Sequence, residues 1–199
     1  NIFKEFFKKN IYYIIGILLL ILLSFSGYEF YEYLHKEEIK KTSKLYFNAI
    51  KNINNEELNS IEILEKISQT KTGFSLLSSM DLAKVYIQNE QFENAYNLYN
   101  KLINDDNIDD LYKDLIIVQA SYNLMNKVDS EKISLFLSKV NIEESVFKSH
   151  FYEIKYINLL DQLDKKELER LSKKIENDVE ITISVKERVK KLNDYIQNK

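Results

Sequence analysis

Residues 82–99 read LAKVYIQNEQFENAYNLY. Ala83 and Ala95 stand twelve positions apart, with Tyr86 after the first, Tyr99 after the second and polar Asn89-Glu90 between them. Two helices joined by a tight turn at Asn89-Glu90 satisfy this pattern. The alanines then mark the place where the helices cross closely, since only a small side chain fits there, and the tyrosines fill the volume beside the crossing.

Composition extends this reading to the whole chain. Its 199 residues include no Pro and only three Gly, Gly16, Gly27 and Gly73. Sheets with tight hairpins rely on Gly and Pro at their turns, so an all-α fold is expected. The absence of Cys excludes disulfides, thiolate nucleophiles and cysteine-rich zinc sites. The net charge is −3 and the cations are interspersed with anions, so there is no basic face for nucleic acid.

From Asn10 to Tyr28 the chain carries no charge. A run of that length is what a helix needs to cross the hydrocarbon of a bilayer. Phe6, Phe7, Tyr12 and Tyr13 gather at one end and Phe25, Tyr28, Phe30 and Tyr31 at the other, in the manner of interfacial belts. Lys4, Lys8 and Lys9 precede the run, while Glu29 and Glu32 follow it. The positive-inside rule therefore places the N-terminus in the cytoplasm and the bulk of the chain outside. A cleaved signal peptide, with Ser24-Phe25-Ser26 as its processing site, is the competing reading. Against it, the apolar run is long and passes into residues 29–44 without any turn signal. The expected organisation is a flank at 1–9, a transmembrane helix at 10–28, a helical stalk at 29–44 and a helical domain at 45–199.

Within that domain a stripe of Tyr46, Ala49, Ile50 and Ile53 marks the first helix, and Asn54–Glu57 reads as a loop. Asn59-x-x-Glu62 has the form of a capping box opening the next helix, as does Asp164-x-x-Glu167 further on. Polar gaps recur near Asn89-Glu90, Asn104–Asp110, Asn126–Ser130, Asn141–Ser145, Asp161–Lys166 and Asn177–Glu180. Ile181, Val185, Val189, Leu192 and Ile196 form one apolar stripe suited to a helix that closes an array. Antiparallel helix pairs of about 34 residues are the mark of helical repeats, and the alanine spacing is that of a tetratricopeptide unit. Ala120 serves as the small residue of a second unit, but its partner position is Lys132. A third unit puts Tyr156 and Leu168 at the crossing, where small residues are expected. The fold class is thus a transmembrane helix followed by a tetratricopeptide-like α-solenoid, with an irregular helical bundle as the alternative.

The chain resembles the family of ancillary subunits of the bacterial Sec translocon (YfgM type). The matching features are FFKKN at 6–10, Tyr28-Glu29-Phe30-Tyr31 after the span, and Ser43, Tyr46, Asn48 and Ala49. Glu65-Lys66, Gly73, Leu77, Ser79 and LAKVYI at 82–87 complete them. Departures fall at Lys132, Tyr156 and Leu168. The resemblance implies a single-pass protein of the inner membrane with its helical domain in the periplasm. It implies as partners the translocon subunits, a membrane-anchored periplasmic chaperone of the prolyl-isomerase type, and newly exported polypeptides.

Chemistry is sparse. His35 lies among stalk charges, and His150 has only Glu153 within helical reach, short of the ligand set of a metal site. The segment NDDNIDD at 104–110 lacks the Gly and closing Glu of a calcium loop and reads as helix capping. No phosphate loop or nucleophile elbow is present, so neither an enzyme nor a cofactor is expected. A binding surface remains. In tetratricopeptide arrays the first helix of each pair lines the concave face. That register selects Met80, Lys84 and Ile87, then Asp114, Ile117, Ser121, Leu124 and Met125, then His150, Glu153 and Ile157. Alternatively, neighbouring helices fill this groove. The expected function is a membrane-anchored interaction adaptor. The alternatives are an oligomeric scaffold for envelope assembly or division and a soluble domain released after Ser26.

Overall fold

A computed structural model describes residues 2–53, 58–70, 72–162 and 165–197, with only the backbone described for 2–9, Ile14, Leu58, Asp161, Gln162 and Gln197. All regular structure among these residues is helical, as a chain so poor in Gly and Pro requires. The helices are α1 (Ile2–Asn52), α2 (Leu58–Ser68), α3 (Phe74–Gln88), α4 (Phe92–Ile103), α5 (Asp110–Leu124), α6 (Ser130–Leu137), α7 (Lys148–Gln162), α8 (Lys165–Asn177) and α9 (Ile183–Gln197). They form two compact units, Asn1–Ser75 and Leu76–Lys199.

In the first unit, α1 runs unbroken from the apolar segment into a helix pair with α2. Its side chains from Ile15 to Leu34 are almost all exposed, and Thr42 is the first buried residue among those whose side chains are described. Tyr46 and Ala49 then join Leu64 and Ile67 in a small core, with Ile50, Ile53, Ile63 and Phe74 packed around it. Tyr46 and Phe47 each contact the Phe74 ring, at centroid distances of 5.4 and 6.1 Å. Ala49 is 1% exposed and precedes Ala83 by 34 positions. The end of α1 therefore holds the small residue of a further unit. Because α2 already begins at Leu58, Asn59 lies inside the helix and does not cap it, a correction to the first capping box. The Asn54–Glu57 loop and Asp164 of the second box lie outside the described residues.

The second unit contains α3 from Leu76 onward and the helices after it. Ala83, Ala95, Ala120 and Tyr99 have no exposed surface and share one core cluster with Leu102, Ile116, Phe136 and Phe151. Tyr86 packs against it, half-buried. A second cluster joins Tyr152 and Tyr156 of α7, Leu168, Leu171 and Ile175 of α8, and Ile181, Val185 and Val189 at α9. Helix α7 belongs to both and packs against α5, α6, α8 and α9. Lys132 stays out of the core: its ammonium lies 4.9 Å from the centre of the Tyr96 ring and pairs with Glu93. Ile133 beside it is 1% exposed and takes the buried place. Tyr156 is fully buried, and its hydroxyl donates to Asn193 Oδ1 at 3.2 Å. Glu90 (φ 59°) and Asn126 (φ 60°) turn the chain after α3 and α5 in the left-handed conformation that glycine usually supplies.

Candidate interaction face

Helix α5 is apolar on two opposite sides. Ile116, Ile117, Ala120, Ser121 and Leu124 are buried on the core side, and Val118 is buried too. Leu111, Leu115, Val118 and Tyr122 recur at four, three and four positions, which confines them to a stripe about 60° wide at 100° per residue. Of these, Leu111 is 50% exposed and Leu115 and Tyr122 are each 39% exposed, whereas Val118 is buried and belongs to the core cluster, so the open apolar surface is Leu111 and Leu115, with Tyr122 beyond the buried Val118. The stripe starts at a defined place because Asp109 caps the helix, its Oδ1 accepting from Leu111 N–H at 2.9 Å.

At its far end the stripe meets polar groups from two more helices. The Tyr122 hydroxyl donates to Glu153 Oε2 at 2.7 Å. Glu153 is 4% exposed, and both its oxygens accept from the Arg188 guanidinium, at 2.5 and 2.7 Å. Burial pushes the Glu153 carboxyl up, but Arg188 and Tyr122 outweigh it and hold the carboxyl below its ordinary range. Burial and its donation to Glu153 push the Tyr122 hydroxyl well above the usual phenol range, so it stays a donor. With its single proton given to Glu153, Tyr122 oxygen serves as acceptor toward His150 Nδ1, 3.3 Å away. Three helices, α5, α7 and α9, are thereby tied through one carboxylate.

The sequence-selected surface is dispersed by this packing. Ile117, Ser121 and Leu124 are core residues, 0–1% exposed, so the register that put them on an open face is corrected. Helices α4, α6 and α7 all pack against α5 and cover that side. Met80, Ile87 and Met125 pack half-buried against the same core. Lys84 is exposed and pairs with Asp81 at 3.0 Å, and Asp114 accepts from the Ser145 hydroxyl at 2.5 Å. Ile157 is half-buried. His150 and Glu153 do come together, beside Tyr122 and Arg188, and no sequence pattern singles out Arg188 or pairs either residue with Glu153. The stripe on α5 had a visible signal, its four-three-four spacing, but that spacing competes with the core stripe on the same helix.

No group of three or more His, Asp or Glu residues able to hold a metal occurs among the described residues. Asp105 Oδ1 instead accepts from the Asn107 backbone and side chain, which holds its carboxyl low and shapes the loop before α5. A hollow of about 350 Å³ lies between α8 and α9, over Ile175 and Val189, with Lys186, Lys190, Glu176 and Asp194 at its edges. Its charges are mixed and do not converge on a point.

Helix pairs with small residues at their contacts and an exposed apolar patch define a helical-repeat interaction module. The chain matches the family described as a tetratricopeptide repeat-like domain over residues 4–155, and it belongs to that family. No curated protein and no solved structure matches it. One helix among the described residues, in the α1 region, is long and apolar enough to cross a membrane.

Proposed function

We propose that the protein is a membrane-anchored adaptor whose helical repeats hold partner proteins beside the membrane. The observation that carries this reading is the exposed apolar patch of Leu111 and Leu115 at the start of α5, bordered by Tyr122 beyond the buried Val118. Such a face suits an apolar segment of another polypeptide, and anchoring to a membrane raises the effective concentration, so weak contacts suffice. The resemblance to the ancillary subunit of the Sec translocon supports a more specific version. In it, the repeats lie on the periplasmic side of the inner membrane and join the translocon to a membrane-anchored chaperone and to exported chains.

Photo-crosslinking in cells from Leu111 and Leu115, with Ile117 as the buried control, tests this. Channel subunits, a periplasmic chaperone or exported chains recovered from the first two positions and not from Ile117 are expected. Recovery of the protein's own copies alone replaces the adaptor with the oligomeric scaffold. The chain has no Cys, so single cysteines at Asn104 or Asn107 report topology with an impermeant thiol reagent. Labelling is expected from the periplasmic side, and labelling only after the inner membrane is opened refutes the orientation.

A further inference from the structure

The stretch of α1 just beyond the apolar run has no use in the helix pairs. Tyr28, Phe30, Tyr31, Tyr33 and Leu34 are each more than half exposed, five large apolar side chains in seven residues. Together they bare on the order of 500 Å² of apolar surface, above what a water-facing helix ordinarily leaves uncovered. The composition then changes abruptly: residues 35–41 read HKEEIKK. We infer that residues 28–34 are a girdle for the headgroup layer of the outer leaflet, and that they fix the depth of α1 in the bilayer. This rests on the membrane-anchored reading above.

Two magnitudes support a lipid occupant over a protein one. The first is height. At 1.5 Å per residue, the uncharged run from Asn10 to Tyr28 measures about 28 Å, close to the hydrocarbon thickness. The rise from Tyr28 to Leu34 adds about 9 Å, slightly more than the 5–7 Å of one headgroup layer and closer to it when the helix tilts. The second is angular spread. At 100° per residue the five side chains leave no gap wider than about 140°, whereas a partner helix would read a narrow stripe. The gap itself carries Glu29 and Glu32, and Glu32 is tied at 2.7 Å to Lys36, one turn further from the membrane. Two carboxylates at this level disfavour anionic lipid, so the girdle prefers zwitterionic headgroups. The charged stretch from His35 leaves about 12 Å between Leu34 and Thr42, where pairing with α2 begins, so the first helix pair sits close above the headgroups.

The chain has no Trp, so a single introduced Trp is a clean depth probe. Full-length variants Phe30→Trp, Tyr31→Trp, Tyr33→Trp and Leu34→Trp are placed in phosphatidylcholine vesicles carrying lipids brominated near the headgroup or at mid-chain. Leu20→Trp is the reference within the span, and circular dichroism checks the fold. All four girdle probes are expected to emit at shorter wavelength than a water-exposed Trp and to be quenched more by the shallow bromines than by the deep ones. Quenching limited to one face, with crosslinks between copies, overturns the girdle in favour of self-pairing. Absence of quenching at all four, with Leu20→Trp quenched, overturns it while the membrane anchor stands. If Leu20→Trp is itself unquenched, the anchor fails and the girdle with it.

Discussion

Replacing Arg188 with Met tests whether one ion pair joins the last helix to the rest of the second unit. The Glu153 side chain is 5% accessible and the Arg188 side chain 50% accessible. Removing one partner of a fully buried pair costs about 3–5 kcal/mol, because a charge is left stranded. Here water can enter where Arg188 stood, and Tyr122 still donates to the carboxylate, so the expected loss is about half that, roughly 2 kcal/mol. Urea unfolding of the full chain in detergent, followed by circular dichroism, should then show a midpoint lower by about 1 M. The pH dependence has a defined sign. The Glu153 carboxyl lies below its ordinary 4.5 in the folded protein, so its contribution is fully present above that value and is lost as the pH falls through the lower folded value. The gap between wild type and Arg188→Met is expected to close in that acid range. The double variant Glu153→Leu/Arg188→Met, which strands no charge, should recover much of the loss. Equal midpoints at pH 7, or a gap that persists unchanged in acid, would refute the reasoning.

Three further outcomes follow from the same structure. Ala95→Leu places three extra carbons at a site with no exposed surface and is expected to cost about 1–3 kcal/mol in the same urea assay, whereas the exposed neighbour Asn94→Leu should cost far less. Glu90→Gly relieves a left-handed residue at the end of α3 and should raise stability by about 0.5–1 kcal/mol, provided the turn keeps its φ of 59°. Lys174, Tyr152 and Lys148 hold Glu143 at about 2, so the stability it supplies is present above the ordinary 4.5 and fades as the pH falls toward 2. Acid titration of Glu143→Gln should accordingly lack part of the wild-type transition below pH 4.5.

The helical class and most turns were readable because Gly, Pro and polar clusters punctuate the chain so rarely that each gap stands out. The turns at Asn89-Glu90 and Asn104–Asp110 lie where the gaps put them. Ala83 and Ala95 were legible because a small residue set amid aromatics leaves room for a second helix to approach. Ala49 was harder to place in the repeat, since it lies on a helix whose first half carries a long apolar run. The interaction face was misjudged on α5, where core and surface stripes coexist and spacing alone does not say which one the neighbours cover. Lys132 looks like an interruption in one dimension. In three, its long stem lets the ammonium reach Tyr96 and Glu93 while Ile133 takes the interior. Glu153 illustrates the remaining limit: its partners Tyr122 and Arg188 are 31 and 35 residues away, a separation at which no local pattern operates.

Helix α1 passes from the apolar run to the α2 contact with no proline and no break, so it has no joint at which to swivel. Between Tyr28 and Asn52 it extends about 36 Å, and a lean of about 20° swings its far end sideways by about 12 Å. If α1 crosses a bilayer as proposed, any neighbour there that changes that lean works a lever, and the first helix pair moves with it.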